Sequence, residues 1–233
     1  MKTSVIAKIY AFLAVAVLSA VAIFTANAAA KEAEDAAAAP KPDLTVVIDA
    51  GHGGIDSGVT GKESGTKESD LNLSIARELK KLFEEAGIRV VMTRDGEDGL
   101  YGELSKGFKM RDMKKRREII NSAGARVMIS VHLNHFSDSS RRGAQAFYKK
   151  GSEEGLKLAT FLQKNLNLSS GQVKRYSPLV GDYYVLNESE PVAALCECCF
   201  LSNSEDEKLI LSEDYRREIA SLIYRGTMEY LAS

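Results

Sequence analysis

TVVIDAGHGGIDSG, residues Thr45 to Gly58, opens on apolar and β-branched side chains and then breaks into glycine. Thr45, Val46, Val47 and Ile48 form the continuous run expected of a strand buried on both faces. Asp49-Ala50-Gly51-His52-Gly53-Gly54 ends that strand in a sharp turn, where glycine lets the backbone come close to a ligand. His52 is therefore presented at the C-terminal end of the first strand. In open α/β sheets that edge is where ligands bind.

A loop from Val59 to Ser69 leads from this turn into an amphipathic helix. Leu71, Ile75, Leu79, Leu82 and Phe83 fall at helical spacing, and Gly87 supplies the stop. Ser69 or Asp70 is the expected cap. Glu68 sits at the helix entrance, where backbone N–H groups favour a carboxylate, and on that ground alone it is as readily a surface glutamate as a functional one. Ile88 to Thr93 reads as the second strand, completing a strand–helix–strand unit with a right-handed crossover. After a polar loop, Arg94 to Gly107, a second helix is expected from about Met110 to Ser122. The run Lys106, Lys109, Arg111, Lys114, Lys115, Arg116 and Arg117 reads as a solvated helix face, or else as a contact for an anionic glycan or a protein partner.

Arg126 to Val131 is the third strand, and it ends in His132-Leu133-Asn134-His135. Here too a histidine leaves the C-terminal end of a buried strand. Such ends share one edge in a parallel sheet, so His52 and His132 can meet across 80 residues of chain. The chain has 3 histidines, and two of them at one edge point to a metal site. Further on, Gly143 to Tyr148 reads as a strand and Glu153 to Leu166 as a helix with Leu156, Ala159, Leu162 and Leu166 apolar. Asp182 to Leu186 and Pro191 to Cys196 read as strands, and helices Glu205 to Leu211 and Tyr215 to Leu231 close the chain. Glu197 follows the last strand inside VAALCECCF. A strand carboxylate can simply face solvent, but one in so apolar a stretch is a candidate functional group.

The N-terminus has the pattern of a targeting segment. Lys2 and Lys8 precede an apolar stretch from Ile9 to Phe24, and Ala26-Asn27-Ala28 supplies small residues for cleavage. Residues 1–28 are thus expected to be a secretory signal peptide or a retained membrane anchor, since the stretch is close to the length that spans a bilayer. Either one sends the domain outside the cytoplasm, released or anchored to the membrane it crosses. Residues 29–43 read as a low-complexity linker closed by Pro40 and Pro42. The 45% hydrophobic content suffices for one packed domain over residues 44–233. A net charge of −1 gives no sign of a nucleic-acid binder. Cys196, Cys198 and Cys199 are too closely spaced for an ordinary disulfide framework and read as buried small residues, a redox or metal role being the alternative.

VVIDAGHGG, KESDLNLSIA, ISVHLN and CECCFLSN, in that order, resemble the zinc-dependent N-acetylmuramoyl-L-alanine amidases of bacterial cell walls. The minimal domain, with no wall-binding repeats, is most similar to the germination-specific (spore cortex) branch of that family. The resemblance implies an α/β fold, a three-layer α/β/α sandwich around a mostly parallel six-stranded sheet. It implies one zinc held by His52, Glu68 and His132, with Glu197 as the catalytic glutamate. Asn134 matches the family's HxN pattern, and with the adjacent His135 it is a candidate for contacting substrate. One departure is visible: Cys199 stands where a small glycine is expected. The implied reaction is hydrolysis of the amide between N-acetylmuramic acid and the L-alanine of a peptidoglycan stem peptide. Another zinc peptidase or deacetylase, or a non-catalytic wall- or partner-binding protein on the same fold, would use the same residues. A serine hydrolase is set aside, because no G-x-S-x-G accompanies GHGG.

Two secondary expectations concern support and control. Asp49 is placed either to orient His52 or to cap the turn. The 64 residues between His132 and Glu197 are filled by expected strands and a helix, leaving none to cover the site as a plug. Control is therefore expected from outside the chain, by an extracytoplasmic protein partner docking near Lys106–Arg117. Contact with a membrane is expected only if the N-terminal segment is retained.

Overall fold

The computed structural model describes residues 44–233, so the expected signal peptide or anchor and the linker lie outside the described residues. Six strands form one sheet: β1 (Thr45–Ala50), β2 (Arg89–Met92), β3 (Val127–Asn134), β4 (Gln145–Tyr148), β5 (Leu179–Val180) and β6 (Val192–Phe200), in the order β2-β1-β3-β6-β4-β5. β2, β1, β3 and β6 run parallel, whereas β4 pairs antiparallel with β6 and carries β5 beside it. The register sets Asp49 beside Ser130 and His132 beside Glu197. It brings the functional ends of β1, β3 and β6 to one edge.

Because β1 is buried on both faces, its alternating side chains build two cores. Val46 and Ile48 pack with Leu71, Ile75, Leu79 and Phe83 of α1 (Glu68–Glu85), together with α3 (Glu153–Leu166) and α6 (Glu213–Leu231). Val47 faces the opposite way, into a smaller core with Ile120 of α2 (Phe108–Ser122) and Val185 and Leu186 of α4 (Tyr184–Asn187). A short helix, α5 (Ser204–Ile210), lies between β6 and α6 and is capped by Asn203, whose side chain accepts from Glu205 N and Asp206 N. This is the expected three-layer α/β/α sandwich. No helix among the described residues is long and apolar enough to cross a membrane.

Several local expectations are corrected. Asp182 to Leu186 is not a strand: α4 occupies Tyr184–Asn187, and the fifth strand is Leu179–Val180. Consecutive Val185 and Leu186 are both buried, which suits one helical turn on the sheet face better than an alternating strand. α1 begins two or three residues earlier than a Ser69 or Asp70 cap would allow, with Lys67 at the N-cap. Leu156, expected in the apolar face of α3, is exposed. The α2 basic run is not wholly solvated, since Arg116 is 2% exposed. The three cysteines are free and fully buried, and burial holds their thiols well above the ordinary range.

Candidate active site

The edge formed by β1, β3 and β6 opens into a cavity of about 370 Å³ lined by His52, Glu68, His132, Asn134, His135 and Glu197, among others. His52 sits where β1 has just ended, with φ of 60°, a conformation rare outside glycine and a local strain that the surroundings must hold. Glu68 is the first residue of α1, and His132 leaves β3. One nitrogen from each histidine and one Glu68 oxygen lie within 4.8 Å of one another.

Glu68 is fixed from several directions. Its Oε2 accepts from Val59 N at 2.9 Å, while Oε1 accepts from Leu133 N at 3.1 Å and Asn72 Nδ2 at 3.2 Å. Burial opposes its ionisation, but hydrogen bonds and charge from His132 and His52 outweigh it and hold the carboxyl far below the ordinary range. His52 Nδ1 lies 3.0 Å from Asp56 Oδ2, which leaves Nε2 facing Glu68 Oε1 at 3.4 Å. Burial disfavours the His52 cation, yet Glu68 and Asp56 together raise its pKa. Two glycines make the room. A Cβ on Gly51 would lie 2.2 Å from His132 Cε1, and one on Gly58, whose φ is +66°, would lie 2.3 Å from Glu68 Oε2.

Glu197 is buried like Glu68 but far less well satisfied. Among the described residues its Oε2 has no hydrogen-bond partner, and Oε1 meets only the Tyr183 hydroxyl, at 3.4 Å. Burial pushes its pKa up; His132 pulls it down and Glu68 pushes it up again, to about 7. Two carboxyl groups in one cavity are thus pushed in opposite directions, Glu68 down and Glu197 up, a pattern that goes with acid–base chemistry.

Asp49 neither orients His52 nor caps the turn. It accepts from Ser130 Oγ at 2.6 Å, Thr93 Oγ1 at 2.7 Å and Arg116 Nη1 at 2.7 Å. Arg116 also donates to Asp112 and to the carbonyls of Ala50 and His52. Arg94 donates to the carbonyls of Ala50, Gly51 and Ser69. Two buried guanidiniums therefore hold the strained turn from beneath. Asp56, Asn72 and Tyr183 are the functional neighbours that the sequence did not single out. Asn72, four residues after Glu68 on the buried helix face, carried the clearest signal.

The donor set suits a metal. Two imidazole nitrogens and one ionised carboxylate are the ligands of a catalytic site that keeps a position open, and the Asp56 contact fixes a histidine ring as outer partners of ligating histidines do.

The family model for N-acetylmuramoyl-L-alanine amidases matches residues 46–229. The chain belongs to this family. It is 32% identical over 194 residues to the germination-specific N-acetylmuramoyl-L-alanine amidase of Bacillus subtilis, covering 82% of this chain and 81% of that protein. Among solved structures it resembles the CwlD amidase from Clostridioides difficile in complex with the GerS lipoprotein, at 35% identity and a TM-score of 0.78, over 81% of this chain and 98% of that one. It also resembles the N-acetylmuramoyl-L-alanine amidase from Clostridium difficile 630, at 32% identity and a TM-score of 0.73, over 83% and 99% of the two chains. The cavity lined by His52, Glu68, His132 and Glu197 lies within the matched span.

Proposed function

We infer that this amidase uses one zinc ion, held by His52, Glu68 and His132, to hydrolyse the amide between N-acetylmuramic acid and the L-alanine of the stem peptide, with Glu197 as general base. The observation that carries this reading is the convergence of the three donor atoms within 4.8 Å beside a buried carboxyl of raised pKa. Zinc supplies Lewis acidity, lowering the pKa of a bound water to about 7 and polarising a carbonyl. Glu197 accepts the proton of the attacking water as its oxygen bonds to the lactyl carbonyl carbon. As the C–N bond breaks, Glu197 returns that proton to the leaving amine of L-alanine. Tyr183 holds one Glu197 oxygen and leaves the other free for this transfer. Asn134 and His135 line the same cavity and offer polar contacts to the substrate.

The similarity to a germination-specific amidase supports a role in spore cortex, and with it an exported protein acting in the wall or around the forespore. The structural relative solved with a lipoprotein supports an extracytoplasmic protein partner. For this chain the docking surface is placed at the exposed part of Lys106–Arg117, where Met110 adds an exposed apolar side chain.

The test is digestion of intact peptidoglycan by the full chain, with mass spectrometry of the products. Release of stem peptides beginning at L-alanine, lost on chelation and restored by zinc, is the expected result. Free acetate or shortened stems would overturn the assignment in favour of a deacetylase or a peptidase.

A further inference from the structure

Along β4, a second hollow of about 390 Å³ borders the cavity that holds Glu197. Asn134 lines both, and Phe147 of the second hollow packs edge-on against Tyr183 of the first, their ring centroids 5.5 Å apart. The β4–β6 register sets Gln145, which lines the second hollow, directly beside Glu197. The two spaces are therefore neighbouring parts of one groove.

Three cations line this part: Arg141, Lys174 and Arg175. Among the described residues none of them forms an ion pair with a carboxylate. Four of the basic residues of α2 do pair: Lys109 with Asp56, Lys115 with Glu118, Arg117 with Glu188, and Arg116 with Asp49 and Asp112. Arg141 lies over the Phe136 ring at 4.5 Å, and Lys174 over Tyr176 at 5.2 Å, so two of the three rest on an aromatic face.

The loop that presents Lys174 and Arg175 is built into the fold. Asn167 clamps Tyr176 by both backbone groups, Nδ2 donating to its carbonyl and Oδ1 accepting from its N–H, each at 2.9 Å. The Tyr176 hydroxyl donates to Arg142 O at 2.9 Å, and buried Gln145 donates to Ser177 O at 2.8 Å. A loop so fixed presents charge with little further ordering on binding.

The substrate's own chemistry says which side belongs here. The lactyl carboxyl of N-acetylmuramic acid is consumed in the scissile amide, so the glycan side is uncharged at that point. Free carboxylates lie on the peptide side, beyond L-alanine. We propose that the groove along β4 is the stem-peptide subsite, in which Arg141, Lys174 and Arg175 hold the free carboxylates of an acidic peptide while the sugar occupies the opposite side of Glu197. Unpaired cations beside the reacting centre recruit such a peptide, and guanidinium groups can grip a carboxylate with two hydrogen bonds. The subsite fixes which end of the substrate enters where. It rests on the amidase reading of the Glu197 cavity.

The experiment uses the full chain and glycan strands bearing L-alanyl-D-glutamyl stem peptides, with the second residue's α-carboxylate either free or converted to the amide. Exposed charge pairs are individually weak, so a preference of about tenfold in kcat/KM for the free acid is expected, shrinking as salt is raised. In the triple variant Arg141→Gln, Lys174→Gln, Arg175→Gln the ratio should fall to near one. Equal kcat/KM of the parent on both strands, or a ratio unchanged in the triple variant, would overturn the proposal. Equilibrium binding of the same two strands to Glu197→Gln gives a second readout. A free-acid preference there without cleavage by the parent would reject the amidase mechanism yet keep the subsite, and no preference would reject the subsite itself.

Discussion

Replacing Arg116 by Met should destabilise the domain severely and invert part of its pH dependence. The guanidinium is 2% exposed and holds the fully buried Asp49 carboxylate from 2.7 Å, along with Asp112 and two turn carbonyls. Burial alone would raise Asp49; Arg116, then Ser130, His132 and Thr93, bring it down from 3.8 to about 2. At about 1.4 kcal/mol per unit, that difference contributes roughly 2 kcal/mol at neutral pH. The folded pKa is the depressed one, so this contribution is present above pH 3.8 and is lost as pH falls from about 4 to 2. Removing Arg116 leaves a buried carboxylate without its cation, and losses of about 3–5 kcal/mol are typical of that change. Asp49 would then be raised above its unfolded value. Stability of the variant should be greatest in acid and decline as pH rises through the new folded pKa, opposite to the parent. Adding Asp49→Asn should recover part of the loss. The assay is urea denaturation of metal-free protein between pH 2 and 8. A loss under about 1 kcal/mol at pH 7, or a variant whose stability still rises with pH like the parent's, would refute this account of the network.

Glu197→Gln should retain zinc in metal analysis while losing about 10²–10⁴ in turnover, the usual scale for a general base; near-normal activity would reject the role. Gly51→Ala drives a methyl to 2.2 Å from His132 Cε1, so zinc content measured after dialysis should fall severalfold while the thermal midpoint changes far less. Normal zinc occupancy in that variant would mean that His132 is free to move aside. Charge reversal at exposed Lys114 and Lys115 should weaken a pull-down with the partner at unchanged fold, and a purified chain that cleaves its natural wall at full rate alone would remove the need for any partner.

Much of the site was legible because it is local. TVVIDAGHGG encodes a buried strand and the turn that follows it within ten residues, and ISVHLN repeats that logic, so His52 and His132 could be placed at one edge before any packing was known. Glu68 was placed at the helix entrance, but only family resemblance made it a ligand, since its hydrogen bonds to Val59 and Leu133 depend on folding. Arg116 was misread because a basic run says nothing about which member meets a buried acid; Asp49 lies 67 positions away. The segment Asp182–Leu186 was misread because a short apolar run does not distinguish a strand from a helical turn. That error concealed Tyr183, which reaches Glu197 because it stands at the N-cap of α4 and not along a sheet edge.

The strand order has a consequence for how the domain matures. His52, Glu68 and His132 all lie within the contiguous segment from β1 to β3, whereas Glu197 arrives on β6, which inserts between β3 and β4. A growing or partly folded chain can gather these three side chains early from neighbouring elements. Glu197 is delivered only when a strand some sixty residues further on finds its slot, one of the slower kinds of contact to form. Until then β4 has no neighbour to join it to the parallel strands, and the cavity lacks one wall. Chain connectivity thus implies an order of assembly: the His52–Glu68–His132 cluster can form from neighbouring elements first, and the complete cavity waits for β6 to enter the sheet.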